Sequence, residues 1–318
     1  MMDFVFAALG LVILVLAGDS LVKGAVNLAL RIGIPALIVS LTVVAFGTSA
    51  PELLVSIAAI EDGAPGLALG NVVGSNIANI LLVIGVPVLI ATIHTNNCDT
   101  RRSYLQMMAA TALFIALCFF GPITWMHGLV LLGALAFMLF DAFREAKAHR
   151  AAANGAMIEE EEDLEGADPD MPWWKIILFL VLGLVGLPLG ADLLVDSAVN
   201  IARAFGISEE VIGLTLVAFG TSLPELATVV MASLRNQADV ALGNVIGSNM
   251  FNLLAIIGIA SFVGPIPVAD EFLHFDLWVM LGASVLLLPF AFQKANITRM
   301  VGVVLTALYG VYLVMLLN

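Results

Sequence analysis

Long apolar runs separated by short polar punctuation cover almost the whole chain. Runs able to cross a hydrocarbon core of about 30 Å can be drawn at 4–30, 36–60, 66–92, 104–121, 124–143, 174–203, 209–233, 240–263, 272–292 and 297–317. Each predicts a transmembrane helix, ten in all. The pattern also repeats: Leu41 to Ser56, LTVVAFGTSAPELLVS, returns as Leu214 to Val229, LTLVAFGTSLPELATV, with eleven of sixteen residues identical. The same offset of 173 residues carries Asp19 onto Asp192, Asn27 onto Asn200 and Gly74-Ser75-Asn76 onto Gly247-Ser248-Asn249. Each copy holds five predicted spans, an odd number, so the second copy enters the membrane from the opposite face. The expectation is an all-α membrane protein of ten transmembrane helices in two inverted five-helix repeats, 1–143 and 173–318, joined by a linker at 144–172.

Within the second and seventh spans the apolar pattern is interrupted by Gly47-Thr48-Ser49-Ala50-Pro51 and Gly220-Thr221-Ser222-Leu223-Pro224. Proline removes an amide donor and glycine loosens the helix, so both helices are expected to break there. Unwound backbone at membrane depth must be buried in protein or line a wet cavity, which predicts a polar site at each break. The third span carries Asn71, Ser75 and Asn79 four residues apart, one polar stripe on an apolar helix, with Gly70 and Gly74 forming an edge for close helix approach. Asn244, Ser248 and Asn252 repeat the stripe.

Composition agrees with the pattern. Hydrophobic residues make up 61% of the chain and charged residues 12%, and the mean hydropathy of +1.08 excludes a soluble fold of this size. The first run carries Asp3 rather than a basic leader and has a mid-chain counterpart, so it is expected to remain as a span. The formal charge of −13 owes much to eight acids between Glu159 and Asp170. This acidic linker lacks the ligand spacing of an EF-hand loop and reads as a solvated tether. Basic residues are more informative: Arg31, Arg101, Arg102, Arg144, Lys147, Arg150, Lys175, Arg235, Lys294 and Arg299 fall on one side of the ten spans and Arg203 on the other. The basic side is expected to be cytoplasmic, placing both termini outside the cytoplasm in a multi-pass protein of the cell inner membrane.

Glu52 and Glu225 occupy matching positions just after the two breaks. A charged residue at a helix centre in the membrane costs about 2.5–3.5 kcal/mol on insertion scales, and a cost incurred twice implies a use. Ser49-x-x-Glu52 and Ser222-x-x-Glu225 also fit capping boxes, yet a cap needs no charge. Two carboxylates, hydroxyls, amides and freed carbonyls make an all-oxygen inventory, which suits hard cations, calcium and sodium above all. Two carboxylates balance one divalent cation, two monovalent cations or two protons, and a site that moves only when occupied gives exchange. The stripe and the GTS hydroxyls also read as helix-packing groups or as partners for broken backbone. Asp19 has Lys23 four residues on and predicts an intrahelical ion pair; the position equivalent to Lys23 is Asp196, so the symmetry fails there. Cys98 and Cys118 match no metal or redox spacing.

GTSAPE with GNVVGSN, followed by GTSLPE with GNVIGSN, resembles the paired alpha repeats of the cation/calcium antiporter superfamily, particularly prokaryotic sodium/calcium exchangers. The resemblance covers both halves. It implies a core built from spans 2, 3, 7 and 8, with the long first and sixth helices sliding across it. It implies calcium ligation by Glu52 and Glu225 with Thr48 and Thr221 beside them. It implies flanking sodium sites at Ala45, Ser49, Ser75 and their counterparts Ala218, Ser222 and Ser248. Asn79 matches the first-repeat asparagine of that pattern, whereas Asn252 stands where the second repeat often has aspartate, which leaves the counter-ion open between sodium and proton. The expected activity is antiport of calcium against sodium by alternating access, with proton/calcium exchange as the alternative, then a cation channel or an intramembrane metal-dependent enzyme. The expected partners are calcium, sodium and the lipid bilayer, with no cofactor, no catalytic residue and no nucleic acid.

Overall fold

The computed structural model describes residues 2–96, 98–152, 168–205, 220–293 and 295–316; the acidic run up to position 167 and the start of the seventh predicted span lie outside them. Named in chain order, the helices are α1 (Met2–Ile32), α2 (Ala36–Thr48), α3 (Ala50–Glu61), α4 (Pro65–Ile90), α5 (Arg101–Cys118), α6 (Trp125–Ala152), α7 (Trp173–Ala204), α8 (Leu223–Leu234), α9 (Ala238–Ala260), α10 (Phe272–Phe292) and α11 (Arg299–Leu316). Seven of these are long and apolar enough to cross a membrane, and α2 with α3, bent by 40°, makes an eighth candidate span. α5 opens on Arg101 and Arg102, and α8 is apolar but only 12 residues long among the described residues. α6 runs on through Ala152, past the end of its apolar run at 143.

Burial sorts the helices into layers. α9 is buried along its whole apolar stretch and α4 along most of it, while no more than a third of that stretch is buried in α1, α6, α7 and α11. The outward residues are large and apolar, among them Leu16, Phe137, Phe140, Leu182 and Val311, as a lipid-facing surface requires. Trp125, Trp173 and Trp174 mark helix starts, where an amphipathic ring suits the membrane interface.

α1 and α7 are the longest helices, at 31 and 32 residues. At 1.5 Å per residue each is about 46–48 Å long, well beyond the hydrocarbon core. They cross along small residues: a Cβ on Gly183 would meet Leu21 Cβ at 2.5 Å, one on Gly186 would meet Ala17 Cβ at 2.8 Å, and one on Gly10 would meet the Leu194 amide nitrogen at 2.8 Å. Any side chain at these positions would push the backbones apart. At Gly70 and Gly74, where the sequence predicts a glycine edge, a Cβ would meet only Phe272 at 3.7 Å and nothing within 4 Å, respectively, among the described residues. The close approach is at their counterparts on α9, where a Cβ on Gly247 would lie 2.6 Å from the Leu41 carbonyl oxygen and one on Gly243 would lie 2.9 Å from that of Leu37. The segments equivalent to Leu37 and Leu41 fall at 210 and 214, outside the described residues.

Candidate functional site

Both predicted breaks have the same geometry where the structure describes them. α2 ends at Thr48, Ser49 takes φ −85° and ψ 3°, and α3 begins at Ala50 with Pro51 in its first turn. Ser222 takes φ −87° and ψ 3° before α8, with Pro224 in the first turn. Proline is harmless there because the amide it lacks would have no helical acceptor. Glu52 and Glu225 are each the third residue of the new helix, at its positive dipole end, and each is 1% exposed.

The capping boxes do not form: neither Ser49 nor Ser222 caps its helix with its side chain. Instead the Ser49 hydroxyl donates to Glu225 Oε1 at 3.4 Å, across the repeats. The hydroxyls of Thr48 and Ser248 also lie around the Glu225 carboxylate, and Glu52 and Glu225 are close enough for one charge to act on the other. Thr48 further donates to Asn244 Oδ1 at 3.2 Å. In the first repeat the equivalent asparagine turns inward on its own half: Asn71 Nδ2 donates to the Glu52 carbonyl at 3.3 Å and to Ser56 at 3.2 Å.

The stripe residues Ser75, Asn79, Ser248 and Asn252 are all buried. Asn79 and Asn252 are positioned by two residues that the stripe reading passed over, Asn76 and Asn249. Asn76 Nδ2 donates to the Asn249 carbonyl at 3.2 Å and Asn249 Nδ2 donates to the Asn76 carbonyl at 3.4 Å. A backbone carbonyl can only accept, which fixes the orientation of both amides. Their side-chain oxygens therefore point the other way, and each accepts from a stripe residue: Asn79 Nδ2 donates to Asn249 Oδ1 at 3.1 Å and Asn252 Nδ2 to Asn76 Oδ1 at 3.0 Å. The stitch is reciprocal, and it leaves Asn79 Oδ1 and Asn252 Oδ1 as the free atoms. Met280 and Met107, themselves 173 apart, lie against Asn76 and Asn249 through their sulfurs. Immediately after the stripe both helices widen, with a π turn at Asn252–Ile256 and a five-residue bond from the Val83 amide to the Ala78 carbonyl at 2.9 Å. Such widening re-aims the residues around it.

Of the expected site residues, then, Thr48, Ser49, Ser248 and Glu225 meet directly, Glu52 shares their electrostatic environment, and Asn79 and Asn252 are joined through Asn76 and Asn249. Ala45 is fully buried in α2, where its carbonyl faces the Thr48 hydroxyl at 3.3 Å. Thr221 and Ser222 stand at the second break, and Ala218 lies outside the described residues. Glu52 Oε2, Glu225 Oε2, Asn79 Oδ1, Asn252 Oδ1, Thr221 Oγ1 and Ser222 Oγ are buried without a partner. Buried polar atoms are normally satisfied, and six unsatisfied oxygens drawn from the same motifs form a donor set suited to a hard cation. Among the described residues no three His, Cys, Asp or Glu side chains gather as a metal site, so amides and hydroxyls must complete any shell around the two carboxylates. Asp276, 7% exposed in α10, is a further buried carboxylate; it accepts from the Tyr312 hydroxyl at 3.0 Å.

The chain has counterparts among known proteins. The chain is 35% identical to the sodium/calcium exchanger MaX1 of Methanosarcina acetivorans over 99% of this chain and 98% of that protein. It is 34% identical to the inner membrane protein YrbG of Escherichia coli over 96% and 94%. The solved structure of the sodium/calcium exchanger from Methanococcus jannaschii superposes with a TM-score of 0.81 at 31% identity, covering 98% of this chain and 97% of that one. The sodium/calcium exchanger protein family matches residues 2–143 and 175–318, which takes in both glutamates and both asparagine stripes, and the chain belongs to that family.

Proposed function

We propose that this protein is a secondary active antiporter that moves calcium out of the cell against entering sodium by alternating access. The observation that carries the reading is the pair of buried glutamates at the starts of α3 and α8, with a first-repeat hydroxyl bonded to the second-repeat carboxylate. In this reading Glu52, Glu225, Thr48 and Thr221 bind calcium. Ser49, Ser75, Ser222 and Ser248, with the carbonyls of Ala45 and Ala218, serve flanking sodium sites. Asn79 and Asn252 supply neutral oxygens beside them. Two carboxylates neutralise one calcium ion or two sodium ions, so an empty site is costly in the membrane and each exchange step begins with an occupied one.

The topology proposed with it is ten spans in two inverted halves, 1–143 and 173–318, the seventh span being α8 with the segment before it. The linker 144–172 is cytoplasmic and both termini are external, in the inner membrane. Calcium uptake into inside-out vesicles, first under an imposed sodium gradient and then under a pH gradient, tests the coupling. Sodium-driven uptake is expected; uptake driven by the pH gradient alone would assign proton coupling. Glu52→Gln and Glu225→Gln are each expected to abolish exchange while the protein still inserts, and near-normal flux from either in proteoliposomes would overturn the site.

A further inference from the structure

We propose that Asp192 and Asp196 form an outer reception site for a hydrated divalent cation, in a vestibule beside the break that precedes α8. The proposal rests on the exchanger reading above and extends it to the path by which the ion arrives. A cavity of about 190 Å³ lies between α7 and the two breaks, lined among others by Asp192, Asp196, Gly220, Thr221, Pro224 and Pro51. A water needs only about 10–15 Å³ of such space, so the cavity has room for a cation with several of its waters. Thr221, whose buried hydroxyl oxygen has no partner, lines the cavity and stands one residue before Ser222.

The charges of the vestibule call for a cation. Asp192 and Asp196 lie one turn apart on α7, both exposed, and like charges at that spacing repel. Asp192 is twelve residues from the end of α7 at Ala204, about 18 Å along the axis, which sets it deep within a spanning helix. Among the described residues no lysine or arginine pairs with either.

The first repeat shows the alternative. Asp19, equivalent to Asp192, is bridged by Lys23 at 2.9 Å and by Arg235 from the end of α8 at 2.5 Å. At the 173-residue offset Lys23 becomes Asp196 and Arg235 becomes Asp62. In the first repeat an acid thus sits between two bases, while the matching positions of the other repeat hold three acids. With no lysine or arginine paired to them among the described residues and a cavity open beside them, the two aspartates of α7 concentrate divalent cations next to the exchange site. A mobile, water-separated ion fits this role, because it must leave again for the glutamates.

Binding and transport test this separately. Purified full-length protein carrying Glu52→Gln and Glu225→Gln is titrated with manganese(II), bound and free ion being distinguished by electron paramagnetic resonance. It is expected to keep one weak site that the added pair Asp192→Asn and Asp196→Asn removes, the difference excluding the acidic 159–170 segment common to both. Identical manganese binding by the two proteins would overturn the proposal, whether or not the first assay supports exchange. In reconstituted protein with both glutamates intact, Asp192→Asn with Asp196→Asn is expected to raise the KM for calcium at the outer face about three- to tenfold at low ionic strength, with little change in high salt. The KM at the cytoplasmic face should be unaltered. An equal change at both faces, or unchanged KM at the outer face in low salt, would mean a structural role only. Unaltered thermal stability of the double variant excludes misfolding as the cause.

Discussion

At the residue scale, a charge in an apolar run was visible in the sequence and the means of holding its neighbours was not. Glu52 and Glu225 stand out because each puts a carboxylate in an apolar run, where the serine three residues before it could explain a polar cap but not a charge. Asn76 and Asn249 do not stand out. Each lies 100° around the helix from the stripe, and the value of that position depends on the other repeat, 173 residues away. The stitch makes a sharp prediction. Asn249→Leu leaves the Asn79 amide without its acceptor, at about 1–3 kcal/mol for the buried group, and Asn76→Leu does the same to the Asn252 amide, while the carbonyls of both positions keep their helical partners. The two variants should therefore lose similar thermal stability in detergent, and unequal losses would show that the reciprocity is not energetic. Replacing Asn79 or Asn252 by Ala removes one of the free oxygens. The expected result is a changed response to sodium with a smaller change in calcium binding, read from calcium flux at several sodium concentrations.

At the element scale, breaks and close approaches were legible because proline and glycine announce them, but which helix fills each groove was not. The run GTSAP gives the position of the bend within a residue, since proline tolerates only the first turn of α3. The π turns carry no such signature, as nothing in Asn252 to Ile256 differs in kind from an ordinary apolar helix. Glycines of similar appearance now separate by their surroundings. Gly247→Ala would drive a methyl group into the Leu41 carbonyl and Ala45, forcing α9 away from α2 and displacing Ser248 and Thr48 together, so transport should fall at least tenfold even where expression survives. Gly133→Ala on α6 meets nothing within 4 Å and should be neutral or stabilising by up to about 1 kcal/mol. Flux and thermal unfolding of the two variants side by side give the comparison.

At the scale of the whole molecule, the sequence repeat foretold two related halves but left their mutual grip to the structure. The symmetry is closest at the asparagines and weakest at Asp19 and Asp192, where matching stretches of the two long helices carry opposite electrostatic arrangements. The proposed topology is checked by thiol labelling in intact cells: Glu61→Cys, at the exposed end of α3, should react with an impermeant reagent, and Asp170→Cys, before α7, only after permeabilisation. Cys98 and Cys118 are buried and give a low background. The asparagine stitch has one more consequence, and it concerns time. Its bonds join residues 170 to 176 apart, so none can form until the second half has been made and inserted. At 5–20 residues per second the ribosome needs roughly 10 to 35 s for that distance. Through that interval the nascent first half must hold Glu52 and Asn76 in lipid without their counterparts, which makes insertion of the second half the step at which quality control can recognise an unfinished molecule.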